Sequence, residues 1–433
     1  MMMSTARTLK IGMLGCGVVG SHVARLLTED SGDFAARAGA ELQLTRVVVR
    51  DSKKARAHVP ISILTTDAPS VVKDPAIDLI IEVMGGINPA RELILSAIQN
   101  GKSVITANKA LLAKHGAELF EAADHHGVDL YYEAAVGGAI PILRPLRESI
   151  VGDHVHRVMG IVNGTTNYIL TKMDENHSDF GVALKEAQSL GFAEADPTAD
   201  IEGHDAAAKA AILAGLAFHT RTSIDDVWVE GISTITARDV EVARDINHVI
   251  KLLAIAEITG GGEISIRVHP TLLPRHHPLA AVRNSFNAIF VEAESAGELM
   301  FYGPGAGGAP TASAILGDLI AIARNKTRGG EGHGESDYAA LSIATKAEVV
   351  TRYLIRLDVA DRPGVLATVA RIFADNQVSI ETVRQSGRGD GAELIVMTHT
   401  APEAALATTV TALKKSDVVK NVESVLRVEG ARI

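Results

Sequence analysis

Residues 191–210 of this 433-residue chain read GFAEADPTADIEGHDAAAKA, a group of acids ahead of a single lysine. Alanine is the strongest helix former, so Asp205 and Lys209 are predicted to lie one turn apart on one helix face. A lysine can move a proton at an alcohol or carbonyl oxygen when its surroundings tune its pKa, so Lys209 is a candidate acid–base group, with Asp205 orienting it or holding substrate. Carboxylates can hold the ammonium group of an amino acid, which is the role expected of Glu194 and Asp200. The alternative is an ordinary exposed ion pair.

A glycine-rich turn between a strand and a helix supplies the second chemical signal. The run TLKIGMLGCGVVGSHVARLL contains G-x-G-x-x-G, a pattern that in this position predicts a dinucleotide-binding turn. Gly15 would allow the tight turn, Gly17 the close approach of a pyrophosphate, and Gly20 close helix–strand packing, with Val18 and Val19 opening the helix. The alternative is a βα turn without ligand. The one cysteine, Cys16, lies inside this turn, so no separate thiol is available for acyl transfer, and simple alcohol–carbonyl hydride transfer is favoured.

The choice of cofactor depends on the end of the second predicted strand, LQLTRVVVR. An arginine there favours the 2′-phosphate of NADP, and an acid favours the free ribose of NAD. Arg50, with Lys53, Lys54 and Arg56 nearby, favours NADP, whereas Asp51 keeps NAD open. A solvated basic turn without ligand is the alternative.

The first 145 residues alternate strands with helices, which predicts an α/β fold with a Rossmann-type doubly wound parallel sheet. Ligands of such sheets bind outside the carboxyl ends of the strands. Gly15–Gly20, Gly85–Gly86, Asn108–Lys109 and Gly137–Gly138 all fall at predicted strand ends, so one crevice can collect them. Lys109 is therefore a second candidate site residue. A later turn, Gly303–Gly308, which includes Gly305, can approach cofactor or substrate through its backbone, or can be structural.

Composition limits the class of protein. Hydrophobic residues make up 47% and charged residues 22%, and the formal net charge is −10. The sequence contains no basic block interleaved with aromatic residues, which argues against a nucleic-acid-binding surface. Its apolar runs fall short of the roughly 20 residues that span a membrane. A single cysteine excludes an internal disulfide, so a cytoplasmic location is expected.

We expect the dinucleotide-binding domain over residues 1–145, completed by a helix at about 305–325. An α+β substrate domain is expected over 146–304, a linker over 326–349, and a last domain over 350–433. That last segment gives strand, helix, strand, strand, helix, strand, which is the ferredoxin-like βαββαβ order. Its sheet edge can pair with another chain.

These motifs resemble the monofunctional homoserine dehydrogenases that carry a C-terminal ACT domain. The segments that carry the resemblance, nearly end to end, are GMLGCGVVG, TANKALLA, YEAAVGGAIPIL, GIVNGTTNYIL, GFAEADPTADIEGHDAAAKA and FYGPGAGG. The most specific is D-x-x-G-x-D-A-x-x-K, from Asp200 to Lys209. The resemblance implies reversible NAD(P)-dependent interconversion of L-homoserine and L-aspartate 4-semialdehyde, in the biosynthesis of threonine, methionine and isoleucine. It also makes residues 146–304 the catalytic and dimerisation domain of a homo-oligomer, either dimer or tetramer.

The resemblance also implies individual roles. Lys209 matches the family's acid–base lysine, and Lys109 matches a second lysine that contacts cofactor or substrate. Glu194 and Asp205 match substrate-binding acids, with Asp200 beside them, and Gly191 would lie against the nicotinamide half of the cofactor. A monovalent cation, usually sodium, would be held by Glu133 and by the backbone carbonyls of Val136, Gly138 and Ile140. Oxygen donors suit such a hard cation.

Residues 361–373, DRPGVLATVARIF, resemble the ACT module, which binds small amino acids near its first strand–helix turn. The effector residues implied here are Asp361, Gly364, Val365 and Leu366, and threonine is the suggested effector. An assembly domain that binds nothing is the alternative.

Two other functions stay open at this point. One is an NAD(P)-dependent dehydrogenase for a different small amino-acid-like alcohol. The other is a non-catalytic sensor of dinucleotide and amino acid.

Overall fold

The structure, a computed structural model, describes residues 7–387 and 391–430, which group into two compact units. The first unit runs up to Gly164 and also contains Ala207–Val227 and Phe286–Ala340. The second contains Thr165–Ala206, Trp228–Ser285 and the chain from Leu341 onward. No helix in the two described ranges is long and apolar enough to cross a membrane.

Strands and helices follow one another along the chain in three stretches. The first stretch contains β1 Thr8–Leu14, α1 Val18–Glu29, α2 Ser31–Ala38, β2 Glu41–Val48, β3 Leu64–Thr65, α3 Ala68–Lys73, β4 Leu79–Glu82, α4 Ala90–Gln99, β5 Ser103–Thr106, α5 Lys109–His126 and β6 Leu130–Tyr131. The second contains β7 Val155–Ile161, α6 Gly164–Asn176, α7 Phe180–Ser189, α8 Thr198–Ile201, α9 His204–Ala217, β8 Trp228–Val229, α10 Ala237–Asp245, β9 His248–Ile258, β10 Ile264–Pro274, β11 Phe286–Ala293, β12 Gly297–Pro304 and α11 Gly308–Arg328. The third contains β13 Val350–Val359, α12 Val365–Asp375, β14 Ile380–Ser386, β15 Ala392–Thr398, β16 Ala401–Pro402, α13 Glu403–Lys415 and β17 Val419–Val428.

The first unit is built on a six-stranded sheet with the order β3-β2-β1-β4-β5-β6. All of its strand pairs are parallel, and β4 and β5 are buried at every position, as expected for a parallel sheet that is covered on both faces. Helix α11 packs into the same core, where Ile315 and Leu319 join Ile11 and Met13 of β1. This strand order is that of dinucleotide-binding sheets, and the predicted Rossmann-type fold is confirmed.

The first unit also contains three antiparallel strands in the order β12-β11-β7. The Asp153 carboxylate accepts hydrogen bonds from the amides of Ser295 and Ala296, at 3.0 and 2.7 Å, and so fixes the turn between β11 and β12. Strand β7 ends at Ile161 and delivers Val162 to the candidate site described below.

In the second unit, the C-terminal βαββαβ domain joins a longer sheet. Its strands follow the order β17-β13-β15-β14, and β10 adds to β17 in parallel. Strands β9 and β10 form an antiparallel hairpin of 11 paired residues on each side. Leu357, Val369, Phe373 and Leu406 lie in the core of the C-terminal domain. The predicted ferredoxin-like order is confirmed, and its continuation into β10 is a feature that the sequence did not reveal.

Local predictions were wrong at two positions. The polar run at residues 163–167 was expected to form a turn before a helix, but α6 begins at Gly164. Its polar side chains are bonded within the second unit, since Asn167 Nδ2 donates to Asn284 O at 2.9 Å and Lys251 Nζ donates to Asn167 Oδ1 at 2.9 Å. Strand β2 was expected to reach Arg50 but ends at Val48. The predicted domain limits stay predictions.

Candidate active site

The glycine-rich turn after β1 closes tightly at two of its glycines and has open space at the third. Gly15 has a φ of +101°, and a Cβ there would lie 2.9 Å from backbone atoms of Val83 and Met84. A Cβ on Gly20 would lie 2.7 Å from the carbonyl oxygen of Gly15. Gly17 differs, because its Cβ position has open space for at least 4 Å. Two of these glycines therefore let the turn close, and the third leaves room beside it.

Helix α1 begins directly at this open space. Val18 and Val19 form its first turn, and the Val18 side chain is 72% exposed. Because the first amides of a helix attract phosphate, this turn fits the pyrophosphate of a dinucleotide.

Buried hydrogen bonds organise the neighbouring strand ends. Glu82, fully buried at the end of β4, accepts hydrogen bonds from the amides of Met84 and Gly85 and from Thr106 Oγ1, the last at 2.6 Å. Asn108 donates through Nδ2 to Gly86 O at 2.6 Å and caps α5, whose first residue is Lys109. The half-buried Lys109 thus lies at the sheet edge that carries the phosphate turn. The sequence analysis missed Glu82, although an acid at the end of an apolar strand was a visible signal.

Three glycine-rich segments meet in the first unit. Gly138 has a φ of +61°, and its Cβ would lie 2.5 Å from the backbone of Gly305. A Cβ on Gly308 would collide with the side chains of His22 and Val18 in α1. The turn at 137–138, the turn at 303–308 and the start of α1 are therefore in close contact, which explains why glycines recur in all three.

The Glu133 carboxylate caps the segment that follows this turn. It accepts hydrogen bonds from the amides of Ile142, Leu143 and Arg144 at 2.6, 2.8 and 2.9 Å. Asp318 of α11 accepts from the Glu133 amide at 2.8 Å and pairs with Arg144 at 2.7 Å. Burial, followed by the charge of Glu133, raises the pKa of Asp318 to about 7 despite Arg144. This carboxylate network shapes the turn that holds Val136, Gly138 and Ile140.

A metal held by side chains finds no support here. Across residues 7–387 and 391–430, no group of three or more His, Cys, Asp or Glu residues is arranged to hold a metal ion. A cation at the 133–140 turn would therefore depend chiefly on backbone carbonyls.

Lys209 is buried on α9, with 7% of its surface exposed. Its Nζ donates to the carbonyl oxygen of Val162, just beyond β7, at 2.6 Å. The alanines around it on α9 are almost fully buried and let the helix pack closely. The Nζ atom is consequently held at a defined point within the first unit. A solvated surface ion pair, the alternative reading of this lysine, does not fit its burial.

The predicted substrate acids lie on one segment of the second unit. Glu194 is exposed in the loop after α7, Asp200 lies on α8, and Asp205 lies in the first turn of α9. Gly191 has a φ of +76°, and Thr165 Oγ1 donates to Phe192 O at 2.6 Å, which anchors this loop.

The backbone conformation and close packing also explain the glycine of the D-x-x-G-x-D motif. Gly203 has a φ of +82°, and its Cβ would lie 3.0 Å from the Val229 side chain. The chain turns sharply there to enter α9, which carries Asp205 and Lys209 one turn apart.

The predicted cofactor-selecting and effector residues lie at exposed turns. Arg50 is exposed, whereas the Asp51 carboxylate accepts the Lys53 amide at 2.9 Å within its own turn. Gly364 has a φ of +92° and precedes α12. Asp361 is exposed and Leu366 is 46% exposed, but the Val365 side chain is buried in the domain core, so Val365 can offer a ligand only its backbone.

Part of the segment predicted as a linker is firmly attached to the first unit. Glu335 accepts a hydrogen bond from Tyr132 Oη at 2.5 Å and pairs with Arg147, whose guanidinium lies over the rings of Tyr131 and Tyr132. Burial, followed by the charge of Glu335, raises the pKa of Tyr132 well above its usual value. Because Tyr132 precedes Glu133, this contact supports the turn at 133–140. Glu335 lies 203 residues from Tyr132 and 188 from Arg147 along the chain, so no local pattern revealed this contact.

We expect Glu335→Ala to lower the free energy of unfolding by about 3–5 kcal/mol, because it leaves the Arg147 charge buried without its partner. Asp337→Ala is the matched control, since Asp337 pairs with Arg221 at 3.0 Å but is 50% exposed, and its loss should cost less than about 1 kcal/mol. Urea unfolding of the three proteins measures both values. Equal stability of the two variants would show that the Glu335 contact does not hold the segment.

The class that this fold and site define is a dinucleotide-dependent dehydrogenase. The comparisons with known proteins agree. Residues 15–133 match the family model "Homoserine dehydrogenase, NAD binding domain", residues 141–320 match "Homoserine dehydrogenase", and residues 353–417 match "ACT domain".

Several known proteins are similar to this chain over nearly its whole length. The homoserine dehydrogenase of Corynebacterium glutamicum is 55% identical over 423 residues, which cover 97% of this chain and 95% of that protein. A crystal structure of a homoserine dehydrogenase from Thiobacillus denitrificans matches with a TM-score of 0.93 and 40% identity over 98% of this chain and 99% of that one. A hyperthermophilic archaeal homoserine dehydrogenase in complex with NADPH matches with a TM-score of 0.62 and 28% identity over 73% of this chain and 97% of that one.

The chain belongs to the homoserine dehydrogenase family. It is accordingly an NAD(P)-dependent oxidoreductase that acts on CH–OH groups, with a C-terminal ACT domain. The resemblance predicted from the motifs is confirmed, and a non-catalytic sensor is excluded by this membership.

Proposed function

We propose that this enzyme interconverts L-homoserine and L-aspartate 4-semialdehyde, with NADP as its preferred cofactor. In the oxidative direction, L-homoserine and NADP⁺ give L-aspartate 4-semialdehyde, NADPH and a proton. This step belongs to the biosynthesis of threonine, methionine and isoleucine.

The proposed roles follow the chemistry of each side chain. Lys209 donates a proton to the forming alkoxide during reduction and removes it during oxidation. Asp205 orients Lys209 or the substrate, and Glu194 and Asp200 hold the substrate's ammonium group. Lys109 contacts cofactor or substrate at the sheet edge.

The cofactor would be held by Gly15, Gly17, Val18, Val19 and Gly20 at its pyrophosphate, with Gly191 and Gly305 near its nicotinamide half. When bound, the nicotinamide supplies or accepts the hydride.

The observation that carries this proposal is the burial of Lys209 on the helix that also carries Asp205. Initial rates with L-homoserine and either NADP⁺ or NAD⁺ test it. We expect turnover with L-homoserine and little with L-serine, which is one methylene shorter. A folded, cofactor-binding sample that turns over neither L-homoserine nor L-aspartate 4-semialdehyde would disprove it.

The preference for NADP rests on Arg50. Its exposed guanidinium can reach a 2′-phosphate, whereas the Asp51 carboxylate is engaged by the Lys53 amide. We expect Arg50→Ala to weaken NADPH binding about tenfold to a hundredfold, because a hydrogen bond to a charged group contributes about 1.5–3 kcal/mol. NADH binding should change little. Titrations of both nucleotides, with exposed Arg46→Ala as control, measure this, and equal losses for both nucleotides would contradict it.

We also propose a monovalent cation, sodium, at the turn formed by Glu133, Val136, Gly138 and Ile140. Consecutive left-handed glycines at 137 and 138 bring carbonyl oxygens into a short turn, and such oxygens suit a hard cation. Because the Glu133 carboxylate already accepts three amides, it contributes mainly by shaping the turn. Rates in sodium, potassium and choline chloride at equal ionic strength test this, and equal rates in all three would oppose it.

Finally, we propose that the ACT domain confers feedback inhibition by threonine through Asp361, Gly364, Val365 and Leu366, in a homo-oligomer. Gly364, with a φ of +92°, directly precedes α12, and the N-terminus of a helix can receive an amino acid carboxylate. Rates measured with increasing L-threonine test this, and rates that L-threonine leaves unchanged would oppose it. Light scattering gives the oligomeric state.

A further inference from the structure

A cavity of 440 Å³ lies within the second unit, and its lining includes none of the residues proposed above to bind an effector. Its walls come from the turn before α9, the loop after β8, and strands β10 and β17, and they include Glu202, Val229, Glu230, Ser233, Pro270 and Leu426. The volume falls within the range of small-molecule sites. One wall therefore belongs to β17, the last strand of the C-terminal βαββαβ domain, and another leads directly into the helix that carries Asp205.

The lining combines an apolar surface with two carboxylates. Val229, Pro270 and Leu426 supply apolar surface, whereas Glu202 and Glu230 supply carboxylates. The Arg427 guanidinium forms two ion pairs. Its Nη1 lies 2.6 Å from Glu230 Oε2, and its Nη2 lies 2.5 Å from Oε1 of the buried Glu403.

A second cation also pairs with Glu230, since Lys346 Nζ lies 3.3 Å from its carboxylate. Burial alone would raise the pKa of Glu230, but the hydrogen bond and charge of Arg427 lower it, so Glu230 is ionised. Glu202 is half-buried and has no ion-pair partner within residues 7–387 and 391–430. Arg427 and Lys346 thus both pair with Glu230, whereas Glu202 pairs with neither.

We propose that this cavity binds a small aliphatic ammonium compound, whose charged group pairs with Glu202 and whose hydrocarbon part covers the apolar wall. A carboxylate pairs well with an ammonium when both are partly removed from water. A free amine and an aliphatic amino acid share this chemistry.

The cavity wall is attached to the turn that enters α9, so a bound ligand can influence that helix. Ile232 donates its amide to Ile201 O at 2.7 Å, and a Cβ on Gly231 would lie 2.5 Å from that same oxygen. The loop after β8 is thereby fixed against the turn that enters α9, while Glu230 beside it is held by Arg427 of β17. A ligand here contacts both walls at once, so it can couple the ACT strand to the start of α9 if its affinity differs between two states.

Isothermal titration of the full chain tests the proposal with two probes of matched hydrocarbon size, isoamylammonium chloride and L-leucine. We expect saturable binding of at least one probe, weakened at least tenfold by Glu202→Gln and by Ser233→Trp, which fills the cavity from an exposed position. Glu298→Gln, at an exposed acid on β12, is the control and should bind as the unmodified chain does.

Binding of both probes supports recognition of the ammonium group alone, and binding of L-leucine alone supports recognition of its carboxylate as well. No binding of either probe, or binding that Glu202→Gln leaves unchanged, overturns the proposal. Because heat is measured without turnover, these outcomes do not depend on the proposed reaction.

Discussion

Replacing Lys209 by methionine should lower kcat for L-homoserine oxidation about 10²–10⁴-fold, the range that a positioned acid–base group contributes. Methionine is close to lysine in length and is apolar, so it suits a position where only 7% of the residue is exposed. The Val162 carbonyl would lose its donor, and the free energy of unfolding should fall by about 1–3 kcal/mol. NADPH affinity should hardly change, because the phosphate turn is built from other residues.

Lys114→Met is the control for this experiment, since Lys114 is exposed on α5 and has no assigned role. Steady-state rates, NADPH titration and urea unfolding of both variants separate chemistry from folding. If Lys209→Met is folded, binds NADPH and keeps most of its turnover, Lys209 is not the acid–base group.

Gly17→Val should weaken NADPH binding about tenfold to a hundredfold and leave stability unchanged. Gly17 has a φ of −84°, which valine adopts, and its Cβ position has open space, so the fold accommodates the side chain. That side chain would occupy the space assigned to the pyrophosphate, and such overpacking costs about 1–3 kcal/mol.

Substitutions at two other glycines serve as controls for this prediction. Gly32→Val on α2 also has open space around its Cβ position, so it should affect neither binding nor stability. Gly20→Ala should lower stability instead, because its Cβ would lie 2.7 Å from Gly15 O. Fluorescence titration with NADPH and thermal unfolding measure these effects, and unchanged affinity in Gly17→Val would place the pyrophosphate elsewhere.

Much of the fold was predictable because its signals are local. The glycines at 15, 17 and 20, the apolar strands and the alanine-rich α9 each have a short sequence pattern that one element explains. The same holds for the βαββαβ order of the C-terminal domain, where strand and helix periodicities alternate within 80 residues.

The features of the fold and the site that could not be predicted depend on contacts between residues far apart in the sequence. The hydrogen bond from Lys209 to Val162 O, the contact of Asp318 with the Glu133 amide, and the pairing of β10 with β17 each join segments 47 or more residues apart. Asp318 and Glu335 lie on a helix and a glycine-rich stretch whose local patterns predicted only a helix and a linker. Their burial, and hence their energetic importance, follows from tertiary packing alone.

The most direct test of the proposed reaction is to follow the transferred hydrogen. Purified enzyme is supplied with L-aspartate 4-semialdehyde and NADPH carrying deuterium at both C4 positions of the nicotinamide, and the product is analysed by mass spectrometry. We predict L-homoserine with a single deuterium on the hydroxyl-bearing C4. Absence of labelled L-homoserine, with NADPH bound and the protein folded, would contradict the account.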